Sequence, residues 1–220
     1  MNSKELWQRF AQQIGISDRE LDASFRALTK RYSLPRRYYH TLDGHVVRCI
    51  ELFQDVHYVA INPLAVEGAL WLHDAYYNPG TYDNEKRSGI WAQSFLRQFG
   101  ARDEQLIDQI VRLIAATTHT GELIGSDEQL VMDIDLAILG APQNDFDKYE
   151  VCIRNEYAWV PWLTFAEKRK EILKKFLARP TIYHHRIFVE RYERMARKNL
   201  IRSIKQLRKS QEYQSSKAQE

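Results

Sequence analysis

The sequence predicts an all-α protein, and three observations carry that expectation. Apolar residues recur at helical spacing along almost the whole chain. No stretch shows the sustained alternation or β-branched clustering of a strand. Helix breakers are scarce, with 9 Gly and 6 Pro in 220 residues.

The segment MNSKELWQRFAQQIG reads as an amphipathic helix over residues 3–14. Ser17 with Glu20 forms a capping-box pattern ahead of Leu21, Phe25 and Leu28, which opens a second helix over 18–31. A third is expected over 42–58, where an apolar stripe runs through HVVRCIELF, and a fourth over 63–76, where PLAVEGALWLHD is apolar until its end. Helices over 84–99, 103–118, 128–139 and 145–158 follow, the first of these stopped by Gly100. Thr164 with Glu167 marks the start of a ninth at 165–178, Pro180 ends it, and a tenth covers 183–210. This makes one domain over 1–220, a helical bundle of about ten helices with a motif-bearing core at 36–200 and a basic tail at 201–220.

Composition narrows the function. With 44% hydrophobic and 28% charged residues, the chain fits neither disorder nor a collagen-like or membrane protein, and no apolar run approaches a membrane span. The charged N-terminal helix is unlike an export signal, so a cytoplasmic location is expected. Cys49 and Cys152 lack CxxC spacing and read as buried free thiols. The net charge of +3 is concentrated at the end, where residues 197–220 hold seven Lys/Arg against two Glu. Without an aromatic-lined groove or a nucleic-acid motif, this is a solvated helix end, and nucleic acid is not an expected partner.

Chemistry concentrates at WLHDAYYN, where an apolar helix ends in adjacent His73 and Asp74. Neighbouring helical residues diverge by about 100°, so both can grip one ion only if it lies off the helix end and takes further ligands from elsewhere. His45 lies on the preceding helix, and Asp135 lies in the otherwise apolar VMDIDLAILG. An unpaired carboxylate there would cost several kcal/mol, which a metal would offset.

This ordered set of a His, a His-Asp pair and a later Asp resembles the signature of the HD-domain superfamily. The chain is similar in particular to the bacterial group described as predicted metal-dependent HD phosphohydrolases, through RRYYHTLDGHV, LWLHDAYYNP, YDNEKRS, DIDLAILGA, IRNEYAWVP and the ending IY…F…ARKNL. The resemblance implies a divalent metal held by His45, His73, Asp74 and Asp135, with Asp135 preferred over Asp133 by its Asp-Leu-Ala context and Asp133 orienting a ligand histidine. Asp74 would also orient the attacking water, and Glu85 or His119 would protonate the leaving oxygen, although each also suits a helix end. His40 could be a ligand, a phosphate contact or a cap. Arg36, Arg37, Lys86, Arg87 and Arg154 are the candidate anion contacts, while Trp71, Trp91, Trp159 and Trp162 are expected in the core, and His57, His184 and His185 in structural or exposed positions.

The implied activity is hydrolysis of a small phosphorylated substrate, a nucleotide or related phosphoester, by metal-activated water. Mixed N/O ligands suit Mn, Fe, Co, Ni or Zn and tolerate Mg. Two alternatives stay open: a di-iron oxygenase, which would need more histidines than His119 between the His-Asp pair and Asp135, and a metal or nucleotide sensor without catalysis. A homo-oligomer is compatible with the sequence.

Overall fold

The computed structural model describes residues 2–118 and 125–217, and among them the protein is all-α without a strand. Packing divides the chain into two compact units, Met1–Asp135 and Leu136–Glu220.

The first unit holds α1 (Ser3–Gln13), α2 (Asp18–Tyr32), a π turn (Leu42–Val46) running into α3 (Val47–Val56), α4 (Pro63–Leu72), α5 (Asn84–Gln98), α6 (Glu104–Ala116) and α7 (Ser126–Asp135). Its centre is α4, whose every residue from Ala65 to Leu72 is buried. A helix apolar on all sides must be enclosed by others, and α1, α3, α5, α6 and α7 all pack on α4. Gly68 lets them approach: a Cβ there would come within 2.5 Å of Ile110 and 3.1 Å of Phe10. Trp7 meets Trp71 edge-on at 5.4 Å and gives its own indole N–H to the Ser24 hydroxyl at 3.0 Å.

The start of α4 is tied to the start of α7. The Asp127 carboxylate accepts the N–H groups of Ile61 (2.7 Å) and Asn62 (2.9 Å), and the Asn62 side chain caps α4 at Ala65. Both helices then run from this tether to end in candidate ligands: His73 and Asp74 follow α4, and Asp135 closes α7.

The second unit begins with a tight 3-10 segment (Leu136–Gly140), followed by α8 (Gln143–Glu156), α9 (Trp162–Leu177), the short α10 (Arg186–Phe188), a π turn (Val189–Glu193) and α11 (Arg194–Lys217). The Asn199 amide donates to the carbonyls of Leu139 and Ala141, both at 2.9 Å, and so anchors α11 to the 3-10 segment.

Several boundaries differ from the sequence expectation. α4 stops at Leu72 rather than 76, because the Trp71 carbonyl takes the Tyr32 hydroxyl, the Ala75 N–H bonds the Leu72 carbonyl only three residues back, and the Tyr76 N–H goes to Ser88 Oγ instead of continuing a helical ladder. α9 starts at Trp162, three residues before the expected start at 165, since Pro161 precedes it and needs no helical N–H partner. α8 likewise starts after Pro142. Ser17 does precede α2, but its side chain makes no capping bond. Trp159 is exposed rather than in the core, and Cys152 is half-buried whereas Cys49 is buried. Among the described residues no helix is long and apolar enough to cross a membrane.

Candidate metal centre

His45 enters from the π turn before α3. Thr41 starts this turn, its hydroxyl accepting the Gly44 N–H at 3.1 Å. A π turn changes which way successive side chains point, and such turns are common at functional sites. His73 is the cap residue of α4, still in helical conformation, and Asp74 follows it out of the helix. The two adjacent side chains therefore turn toward one point without being forced 100° apart on a continuing helix.

The polar atoms converge closely. His45 Nε2 lies 3.0 Å from His73 Nε2, 3.2 Å from Asp74 Oδ2 and 3.2 Å from Asp135 Oδ1. His73 Nε2 lies 3.2 Å from Asp74 Oδ2 and 3.7 Å from Asp135 Oδ1. Two ligand atoms held about 2.1 Å from one ion are about 3.0 Å apart at a right angle and about 3.4 Å apart at a tetrahedral angle. These separations suit a single small cation. The ligand atoms of His45, His73 and Asp135 also all lie within 4.8 Å of one another, as a metal-holding group requires.

Hydrogen bonds at the far side of each ring orient the nitrogens. His73 Nδ1–H donates to the Leu70 carbonyl at 3.0 Å, and His45 Nδ1 lies 3.1 Å from the Tyr39 hydroxyl. The Leu70 carbonyl fixes Nδ1–H on His73, and when the Tyr39 hydroxyl accepts from His45 Nδ1–H both Nε2 atoms present lone pairs to each other. Two lone pairs at 3.0 Å repel unless a proton or a metal ion lies between them. Asp74 Oδ2 is also buried without a well-formed hydrogen bond, a costly state for a carboxylate that a cation relieves.

Electrostatics agree. Burial disfavours the charged form of His45 and His73, yet the surrounding groups, including both aspartates, hold each imidazole well above its ordinary pKa. Burial also opposes ionisation of Asp74 and Asp135, and the histidines more than reverse this, keeping both carboxyls below their usual range. The histidine side chains are 2% exposed but those of Asp74 and Asp135 are 16% and 14% exposed, so the carboxylate side of the cluster is the one reachable by solvent.

The other sequence candidates divide. The His40 ring stacks on Tyr77 at 4.0 Å and meets His45 edge-on at 5.7 Å, next to the cluster. Glu85, in the first turn of α5, is half-buried, and burial followed by the charges of Asp74 and Asp135 raises its pKa despite backbone hydrogen bonding. Arg37 is buried and spends its terminal nitrogens on the carbonyls of His40 (2.8 Å), Asp74 (2.8 Å) and Ala75 (3.0 Å), so it braces the ligand-bearing turn. Arg36 is exposed, with a left-handed φ of 70°. Lys86 is exposed, and Arg87 pairs with Asp83 at 2.7 Å and reaches the Tyr76 hydroxyl at 2.9 Å. Arg154 belongs to the second unit, where it donates to the carbonyls of Tyr157 and Val160. Asp133 is fully buried. His119 lies outside the described residues.

Sequence reasoning missed Tyr39 as the partner of His45, Arg37 as a brace and Asp127 as a tether. The RRYYH block places Arg37 and Tyr39 near His45, but nothing in its spacing says which side chain turns inward. Asp127 had no signal beyond being acidic at a helix start. No family model matches the chain, and neither the curated proteins nor the solved structures yield a match.

Proposed function

We propose that this chain is a metal-dependent phosphohydrolase of the HD type, acting on a small phosphoester such as a nucleotide. The observation that carries the reading is the convergence of two imidazole Nε2 atoms and two carboxylate oxygens from His45, His73, Asp74 and Asp135, in the order that the resembled signature requires. A bound divalent cation would supply Lewis-acid polarisation of a phosphoryl oxygen and a lowered pKa for water.

The residues of the chain supply the rest. His45 and His73 offer neutral nitrogen donors fixed by Tyr39 and Leu70, and the paired aspartates supply the negative charge that favours a dication over a monocation. Asp74, partly open to solvent, is the group that orients an attacking water. Glu85 keeps its proton to higher pH than an ordinary glutamate, which suits it to protonate the leaving oxygen. Release of inorganic phosphate from a panel of phosphomonoesters and nucleotides, with Mn or Co added, tests the reading, and dioxygen uptake serves as the control for oxidative chemistry. Turnover should vanish with chelator and in His73→Ala. A metal-loaded protein that releases no phosphate from any member of the panel would remove the hydrolase assignment.

A further inference from the structure

Arg31, at the end of α2, carries a guanidinium that has no counterion among the described residues. It lies over the Tyr76 ring at 5.1 Å and the Trp91 ring at 5.8 Å. Its Nε is buried and has no acceptor. The terminal nitrogens are not among the buried unpaired atoms, and no carboxylate or carbonyl of the described residues takes their protons. A guanidinium has five N–H donors in a rigid fork, and here aromatic faces hold that fork while its tip remains unused.

The surroundings are cationic. Arg37 is near enough to disfavour the charge on Arg31, adding to the effect of burial. Arg87 lies over the same Tyr76 ring at 4.9 Å, and among the described residues its one ion-pair partner is the half-exposed Asp83. Cation–π contact returns about 0.5–1 kcal/mol at exposed sites, a small return for placing three arginines around two adjacent tyrosines. An oxyanion would supply the missing acceptors and relieve the repulsion.

This cluster adjoins the metal centre by short covalent and hydrogen-bonded links. Tyr76 is two residues after Asp74, and Arg37 holds the Asp74 carbonyl while lying over Tyr77, on which His40 stacks. We propose that Arg31, assisted by Arg87, forms an oxyanion subsite beside the His45/His73/Asp74/Asp135 cluster, and that it takes a second phosphate of the substrate. Naming the anion as part of a substrate rests on the phosphohydrolase reading and narrows it to compounds with two or more phosphates. Binding of the anion does not need that reading.

The test uses the full chain freed of metal, with inorganic pyrophosphate and orthophosphate as probes in calorimetric titrations. Wild-type protein should bind pyrophosphate more tightly than orthophosphate. R31Q should weaken pyrophosphate binding by about tenfold or more, as loss of a charged forked donor does. R31K keeps charge but loses the fork and should fall between the two, and the exposed R87Q should give a smaller loss. Metal uptake, measured separately by elemental analysis, should be unchanged in R31Q, R31K and R87Q, so a failed metal assignment and a failed anion subsite give different results. Undiminished pyrophosphate binding by R31Q, or no binding by wild type, would overturn the proposal. If R31Q does not fold, R31K decides, and wild-type affinity in that variant would have the same force.

Discussion

His45 Nε2 and His73 Nε2 face each other at 3.0 Å while the opposite nitrogens of the two rings are engaged with the Tyr39 hydroxyl and the Leu70 carbonyl. A structural histidine pair would use one Nε2–H as a donor to the other ring and leave the aspartates to pair elsewhere. Here Asp74 and Asp135 each approach both imidazoles, so four donors share one point.

The first expectation is therefore metal in the isolated protein. Protein purified without chelator should carry about one divalent ion per chain, or take one up when titrated with Mn, Ni or Zn. His73→Ala and Asp135→Ala should each abolish retention, because each removes a donor from a set that has no spare. Elemental analysis decides it, and full metal content in both variants would disprove the site.

Protons compete for the same nitrogens. In metal-free protein the pKa values of His45 and His73 are raised, so their contribution to stability is full below about pH 6.5, the ordinary histidine value, and is lost as pH rises through the folded-state values. Asp74 and Asp135 are lowered, so their contribution is present above about pH 4 and lost as pH falls through the depressed values. Metal must displace the imidazole protons. Affinity should rise by about tenfold per pH unit for each proton displaced, and the ion should leave on acidification. Titrations at several pH values with constant ionic strength measure this, and pH-independent affinity would exclude the imidazoles as ligands.

The helices were legible because α4 is apolar on every face and α6 keeps one apolar face, patterns that local sequence records directly. Helix ends were less legible where tertiary contacts outweigh local signals. Thr164 and Glu167 form a good capping pattern inside α9, yet Pro161 sets the start. The end of α4 depends on Tyr32, 39 residues before Trp71, and on Ser88, 12 residues after Tyr76. His45, His73 and Asp135 could be placed together from the order of chemically costly residues among apolar ones, and the fold brings them together. No periodicity could show that Arg37 turns inward, Arg36 outward, or that Arg31 meets no counterion among the described residues.

Arg37 braces the turn that carries the ligands, so it should act through geometry rather than through substrate. Arg37→Lys cannot span the carbonyls of His40, Asp74 and Ala75 with one ammonium group. Leaving buried carbonyls unpaired costs about 1–3 kcal/mol. The variant should melt several degrees lower and hold metal about tenfold more weakly, an effect typical of losing a group that orients ligands. Calorimetry and metal titration check both parts, and unchanged affinity with unchanged melting would remove the brace.

Gly140 tests the second unit independently of the metal. A Cβ at this position would stand 2.6 Å from Tyr192 Cβ and 2.7 Å from its carbonyl oxygen, so relief requires backbone movement rather than a rotamer change. Gly140→Ala should destabilise by about 1–3 kcal/mol, the usual range for overpacking. Chemical denaturation gives the value. A neutral result would mean that the approach of the 3-10 segment to the Val189–Glu193 turn is looser than this geometry.

Glu85 separates catalysis from folding. Burial raises its pKa first, and the charges of Asp74 and Asp135 add to that, whereas His73 and the helix backbone oppose it. A bound cation would neutralise part of the aspartate charge, leaving burial as the contribution that persists in the loaded site. The carboxyl therefore stays protonated to a higher pH than an ordinary glutamate, and an activity that needs this proton should fall on the alkaline side as it is lost. Glu85→Gln keeps the shape and cannot give the proton. It should retain metal and melt near the parent temperature, yet lose about 10²- to 10⁴-fold in turnover, the usual contribution of a general acid. The alkaline limb of the pH–rate profile should vanish with it. A plain helix-end residue would instead change stability by about 1 kcal/mol and leave the profile intact. Full turnover with an unchanged alkaline limb would assign proton donation to water or to another side chain.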